Sequence, residues 1–172
     1  MRLLAIDPGP RQSAWVVLDV ETQRPLAHAI TANDELRQAL RGESITYSTG
    51  KISYYAAEHL AIEMVASYGM SVGKDVFETA VWIGRFIEAW SGPHSLVYRK
   101  DVKLTLCGDS RARDSNVRQA LIDRYPPTGG GRLPQVGTKA KPGPLYGIRR
   151  DVWAALAVAV TWIELLGRRP TA

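Results

Sequence analysis

The chain has 172 residues, 45% of them apolar and 23% charged, which suits one domain with a sizeable core and excludes a disordered chain. Its single cysteine, Cys107, excludes an internal disulfide framework and points to a reducing, cytoplasmic setting. The formal charge of +5 is unevenly spread: residues 99–150 hold 12 Lys and Arg against 4 Asp and Glu, a net +8, while the remainder carries −3.

A balance this lopsided favours a polyanionic partner, most simply nucleic acid, although a solvated basic face would look the same. The opening run Leu3–Ile6 is too short for the apolar part of a signal peptide, and Val152–Ile163 is too short to span a bilayer. No membrane partner is expected.

Leu3-Leu4-Ala5-Ile6 reads as a buried strand that runs straight into Asp7 and then a Pro8-Gly9 turn. A carboxylate at the end of a buried strand is costly unless it is paired or faces a cation, so Asp7 is a candidate metal ligand. Asp-Pro-Gly taken alone is equally a plain turn. Ala14–Leu18 is a second strand and Leu26–Ile30 a weaker third, which suggests an antiparallel meander. Asn33–Leu40 reads as a short helix with Asn33 as its N-cap, and Gly42–Tyr55 as a loop without a period.

Leu60–Val65 is the next strong strand, with Glu63 in its middle. A period of two puts Ala61, Glu63 and Val65 on one face and Leu60, Ile62 and Met64 on the other. A buried glutamate in a strand needs a hydrogen-bond partner, a raised pKa or a metal. Tyr68–Gly73 is a glycine-bounded loop. A helix from Gly73 to Ala89 follows, with a wide apolar face suited to core or to a second copy.

Leu96–Tyr98 is a short strand, and Lys100–Leu106 and Ser115–Tyr125 read as helices. Residues 126–150 are rich in Gly, Pro, Lys and Arg and read as a flexible basic loop of one domain covering 1–172. Asp151 opens a last helix, alanine-rich and apolar on every side, as expected of a helix packed into the core. As a lone feature Asp151 reads as an N-cap.

Together the three acids say more. If the two strands are neighbours and the last helix crosses them, Asp7, Glu63 and Asp151 meet. Clustered carboxylates repel unless cations neutralise them, and an all-oxygen site suits Mg²⁺ or Mn²⁺. Two such ions can serve phosphodiester hydrolysis.

The order strand-Asp-Pro-Gly, then Ala61-Ile62-Glu63, then Asp151 before an Ala-Leu-Ala-Val-Ala helix resembles the RuvC Holliday-junction resolvases of the ribonuclease H superfamily, and among them the phage-encoded branch. The likeness takes in Arg99–Lys103 and Asp114–Arg118. It implies an α/β domain, ribonuclease H-like, with a mixed five-stranded sheet flanked by helices. It also implies a homodimer that binds four-way DNA and nicks two opposed strands symmetrically with divalent metal, in the cytoplasm of a bacterial cell.

By that resemblance Asp7, Glu63 and Asp151 are the catalytic carboxylates and metal ligands, and Lys103 sits near the scissile phosphate. Tyr68 and Met70 lie in a turn that wedges into the junction, and the 73–89 helix forms the dimer. Lys74, Arg99, Lys100, Arg111, Arg113, Lys139 and Lys141 are the further candidates for DNA contact. Two departures stand out: Ala154 occupies the place of a fourth acid or a histidine, and Asp114 that of a lysine, whose charge Arg111 or Arg113 could supply. The rival expectations are a junction-binding accessory protein without catalysis, and a ribonuclease or flap nuclease on the same fold. His28, His59 and His94 are expected to be structural.

Overall fold

The computed structural model describes residues 1–42, 45–47, 50–52, 57–67, 69 and 71–165, without the side chains of 45–47 and 50–52. Its centre is a five-stranded sheet in the order β3-β2-β1-β6-β7. Strands β1 (Arg2–Asp7), β2 (Gln12–Asp19) and β3 (Pro25–Ala32) form the expected antiparallel meander. Strands β6 (His59–Met64) and β7 (His94–Tyr98) add in parallel beside β1. A parallel partner needs a long crossover, and helix α2 (Lys74–Ala89) supplies the one between β6 and β7.

Strand periodicity sends alternate residues to two cores. Leu3, Ala5, Ala14, Val16, Leu18, Ala61 and Val97 face helix α5 (Val152–Leu165), with α3 (Arg99–Cys107) and α4 (Asp114–Asp123) beside it. Leu4, Ile6, Trp15, Val17, Leu60 and Ile62 face α2 and the short α1 (Asn33–Leu40). The face assignment drawn from the Leu60–Val65 pattern holds within β6 and points Glu63 toward α5; Val65, past the strand's end, packs instead with Leu60 and Ile62, because the alternation stops where the strand does.

Three elements differ from expectation. Part of the 42–55 stretch forms a small hairpin, β4 (Ile45–Tyr47) with β5 (Gly50–Ile52), closed by backbone pairing that no hydrophobic period announces. Asn33 does not cap α1: Ala32 holds the cap position. The Asn33 amide is buried, donates to the Gly9 carbonyl at 2.9 Å and accepts from the Ser13 hydroxyl at 2.7 Å. A tertiary bond of this kind outcompetes the local one because both groups are shut away from water.

Residues 126–150 contain no helix or strand, as expected, yet they fold back on themselves. Gly129 and Gly130 amides donate to the carbonyls of Pro134 and Lys141, Gly143 to Val136 and Leu145 to Gln135, at 2.8–3.0 Å. A Cβ at Gly137 would lie 2.2 Å from the Gly143 nitrogen, so only glycine lets these backbones approach. Leu145 and Ile148 anchor the segment in the α5 core.

Candidate functional site

The register of β1 on β6 pairs Leu3 with His59 through Ile6 with Ile62. One step further places Asp7 beside Glu63, on strands about 4.8 Å apart. Both lie at the carboxyl ends of parallel strands, where α/β sheets gather ligands, and both face α5. Asp151 stands at the start of α5. The residue before it, Arg150, has φ of 51°, a left-handed conformation rare for a non-glycine, at the turn into the helix.

The three carboxylates line one cleft of about 490 Å³, together with Arg99, Asp114, Ser115, Arg118, Arg150, Trp153 and Ala154. The turn after Asp7 is held by a closed ring of bonds. Gly9 N–H donates to Ser13 Oγ at 3.3 Å, Ser13 Oγ to Asn33, and Asn33 back to Gly9 O. A Cβ on Gly9 would meet the Gln12 carbonyl at 2.5 Å, so the glycine is required. Asp-Pro-Gly is thus both a tight turn and the frame of a site.

Burial, and next the charge of Glu63, pushes the Asp7 carboxyl up to about 8. Glu63 is raised by burial too, against the pull of Arg99. Among the described residues neither Asp7 nor Asp151 has a hydrogen-bond partner for its carboxylate. Asp151 precedes α5 and its carbonyl accepts from the Ala154 and Ala155 N–H groups, so it holds the N-cap position through its backbone and leaves its side chain free for the cleft. Lys103 lies close enough for its charge to act on Glu63. Arg118 stacks its guanidinium over Trp153 at 4.8 Å, at the rim of the cleft.

Arg99, expected on the DNA-facing surface, turns inward. It donates from Nη1 to Glu63 Oε2 at 3.3 Å and from Nη2 to Asp114 Oδ1 at 2.5 Å. Among the described residues no group of three His, Cys, Asp or Glu side chains already encircles a point where an ion would sit. The acids share a cleft and feel each other's charge, but the cleft is open.

The other candidates are scattered. Lys100 and Lys103 line a neighbouring depression with Arg99 and Ser110. Arg111 and Arg113 are exposed on the turn before α4, and Lys139 and Lys141 on the 126–150 segment. Lys74 is on the outer face of α2, paired with Glu78 at 3.2 Å, and does not enter the cleft. Tyr68 and Met70 lie outside the described residues. His59 bonds Ser95 Oγ at 2.9 Å and packs on Trp162, a structural role; His28 packs near Gly147.

Sequence reading missed Arg118, Arg150 and Trp153 as cleft residues. The signal available was their spacing: Asp114 and Arg118 are one helical turn apart, and Arg150 and Trp153 flank Asp151. Among the described residues, no helix is long and apolar enough to cross a membrane.

Neither a protein-family model nor a curated protein matches the sequence. Solved structures do match. Thermus thermophilus RuvC aligns with a TM-score of 0.62 and 17% identity over 94% of this chain and 92% of its own. T. thermophilus RuvC in complex with Holliday junction substrate aligns with a TM-score of 0.60 and 16% identity, over 94% and 91%. This is the RuvC fold. It carries the mixed five-stranded, ribonuclease H-like sheet expected from the sequence. At these identities the likeness to RuvC concerns the path of the backbone, and the chemistry has to be argued from the cleft.

Proposed function

We propose that this protein is a metal-dependent, structure-selective endonuclease for branched DNA, four-way junctions foremost, working as a homodimer that makes paired symmetric nicks. The observation that carries the reading is the convergence of Asp7, Glu63 and Asp151, from three distant parts of the chain, on one basic-rimmed cleft of a RuvC fold. One of the matching structures is a complex with a Holliday junction substrate, which supports the choice of DNA.

The donor set fits a hard divalent cation. All three candidate ligands are carboxylates, and two of them are buried deeply enough that their charged forms are disfavoured without a cation. Asp7, Glu63 and Asp151 would hold Mg²⁺ or Mn²⁺, two ions in this reading. Bound there, the metal would lower the pKa of an attacking water and offset charge on the phosphate.

The chain's own groups do the rest. Lys103, Arg118 and Arg150 supply positive charge around the cleft for the two phosphates flanking the cut. The Gly9–Ser13–Asn33 ring fixes the direction of Asp7. Lys100, Arg111, Arg113, Lys139 and Lys141 are exposed outside the cleft and would each offer positive charge to the junction arms. The exposed Phe77 and Val81 on α2 supply an apolar stripe for the second copy. A bacterial cytoplasm, with a phage source, is the setting we propose.

The test is a synthetic four-way junction incubated with the purified protein in Mg²⁺ or Mn²⁺, beside flaps and RNA–DNA hybrids. Paired nicks on the junction that vanish in Asp7→Asn support the reading; retained cutting by that variant sinks it. Ala154 and the open grip among the acids favour a second reading, an accessory protein that binds junctions without cutting them. Band shifts without nicks in either metal would choose it.

A further inference from the structure

Arg99 is placed oddly for a phosphate contact. It opens α3 directly after β7, and its side chain is only 28% exposed because it enters the cleft. There it spans two unlike carboxylates: Glu63, 14% exposed at the sheet, and Asp114, 77% exposed at the start of α4. Its planar fork uses one nitrogen for each. Asp7 lies within reach of the same positive charge.

We propose that Arg99 is the resident counter-ion of the carboxylate cleft, hinged on Asp114, and that it must swing off Glu63 before a divalent cation can bind. The inference rests on the metal reading above and adds what that reading lacks, an account of why the acids are not already gathered. A guanidinium on Glu63 Oε2 occupies an oxygen that a metal would need. It also sets a positive charge where a second cation would go, and like charges at such range repel strongly.

Release is feasible because Asp114 is solvated. Arg99 can leave Glu63 while keeping one carboxylate, so neither member of the remaining pair becomes a buried, uncompensated charge. Asp114 thus acts through Arg99 as a positioning residue, and the pair sets how tightly the cleft takes metal. With Ala154 offering no ligand, the displacement of Arg99 weighs more heavily on the binding equilibrium.

The experiment is a Mn²⁺ titration of the full chain, free ion read by electron paramagnetic resonance, for wild type, Arg99→Met, Asp114→Asn and Asp7→Asn. Circular dichroism and thermal melts in EDTA accompany each. Arg99→Met is expected to tighten Mn²⁺ about tenfold, the effect of removing one nearby like charge. Asp114→Asn is expected to weaken it several-fold, because Arg99 then has Glu63 as its main partner.

Should Arg99→Met unfold, Arg99→Gln and the independent Asp114→Asn arm carry the test. A purely structural ion pair would move the melts and leave the Mn²⁺ affinity alone, and that result overturns the proposal, as would weaker binding in Arg99→Met. Wild-type binding that Asp7→Asn abolishes, unchanged in both Arg99 and Asp114 variants, ends this inference and spares the metal reading. No site-specific binding in any variant, Arg99→Met included, ends both.

Discussion

Helices α5 and α2 cover opposite faces of one sheet, and they do it differently. Of the 14 residues of α5, 11 are buried, four of them alanine or threonine, so the helix lies close against β1, β2 and β6. Helix α2 has 16 residues and buries only Thr79, Ile83, Phe86 and Ala89. It leaves Phe77 63% and Val81 54% exposed. A helix apolar on every side suits a scaffold, and one with a second, outward apolar stripe suits the interface proposed above. The difference separates the two tasks proposed for the protein. The α5 face holds the acids rigidly at the strand ends, and the α2 face is available to a second copy.

The hardest blow to that division falls on the α5 face. Asp7→Asn is expected to lower nicking of a four-way junction by about 10³-fold, the scale of losing several kcal/mol of metal-assisted stabilisation, with junction binding kept. Gel cleavage beside a band-shift assay measures both. If binding falls together with cutting, the acids and the DNA-binding surface are not separate.

Next is the scaffold itself. Leu156 is fully buried against the sheet, and Leu156→Ala should cost about 2–5 kcal/mol in urea unfolding, because the cavity has rigid walls on every side. A loss well below that range would show that α5 can collapse onto the gap and is not the stiff platform described.

Asn33→Ala tests how the site is tied to the rest. It leaves Ser13 Oγ and the Gly9 carbonyl without their buried partner, at about 1–3 kcal/mol. Nicking should fall further than stability alone explains, since the turn after Asp7 loosens. Unaltered activity at saturating metal would detach the ring from the chemistry.

A smaller effect is the pH response of the metal-free protein. Burial first, and the Glu63 charge second, raise Asp7 from 3.8 to about 8 in the folded chain. A carboxyl with a folded pKa above its unfolded value contributes fully below the unfolded value. That contribution is lost as pH rises through the folded one. In EDTA, Tm should therefore drop by a few degrees between about pH 5 and about pH 8.5, with a flatter profile in Asp7→Asn. A profile that rises, or that Asp7→Asn leaves unchanged, contradicts the burial of the Asp7 carboxyl beside Glu63.

The smallest change in stability belongs to the α2 face. Phe77→Ser should alter the folding free energy of a single copy by no more than about 0.5 kcal/mol, as for most exposed positions. Self-association, read by sedimentation velocity, should nevertheless be lost. Persistence of the dimer would move the interface elsewhere.

Much of this was legible in the order of residues. The apolar run Leu3–Ile6 and the period of two in Leu60–Val65 placed Asp7 and Glu63 on strands, and the unbroken apolar character of Val152–Ile163 marked a core helix. These are local signals, written in side chains a few positions apart. Arg99 shows where local signals stop. In the sequence it sits in a basic run with Lys100 and Lys103 and reads as phosphate-binding; in the fold it pairs with Glu63 and Asp114. Asn33 stops being a helix cap for the same reason, since its partners Gly9 and Ser13 arrive from another part of the chain.

The sequence by itself determined the strands of the central sheet, the helices and which acids had to be accounted for, though not the β4–β5 hairpin, because periodicity and the cost of burying charge act residue by residue. The tertiary structure alone decided that β6 lies in register beside β1, that Asp151 reaches the same cleft, and that a guanidinium stands among the acids. Long-range pairing and electrostatic fields depend on distances between segments, and those distances exist only once the chain has closed on itself.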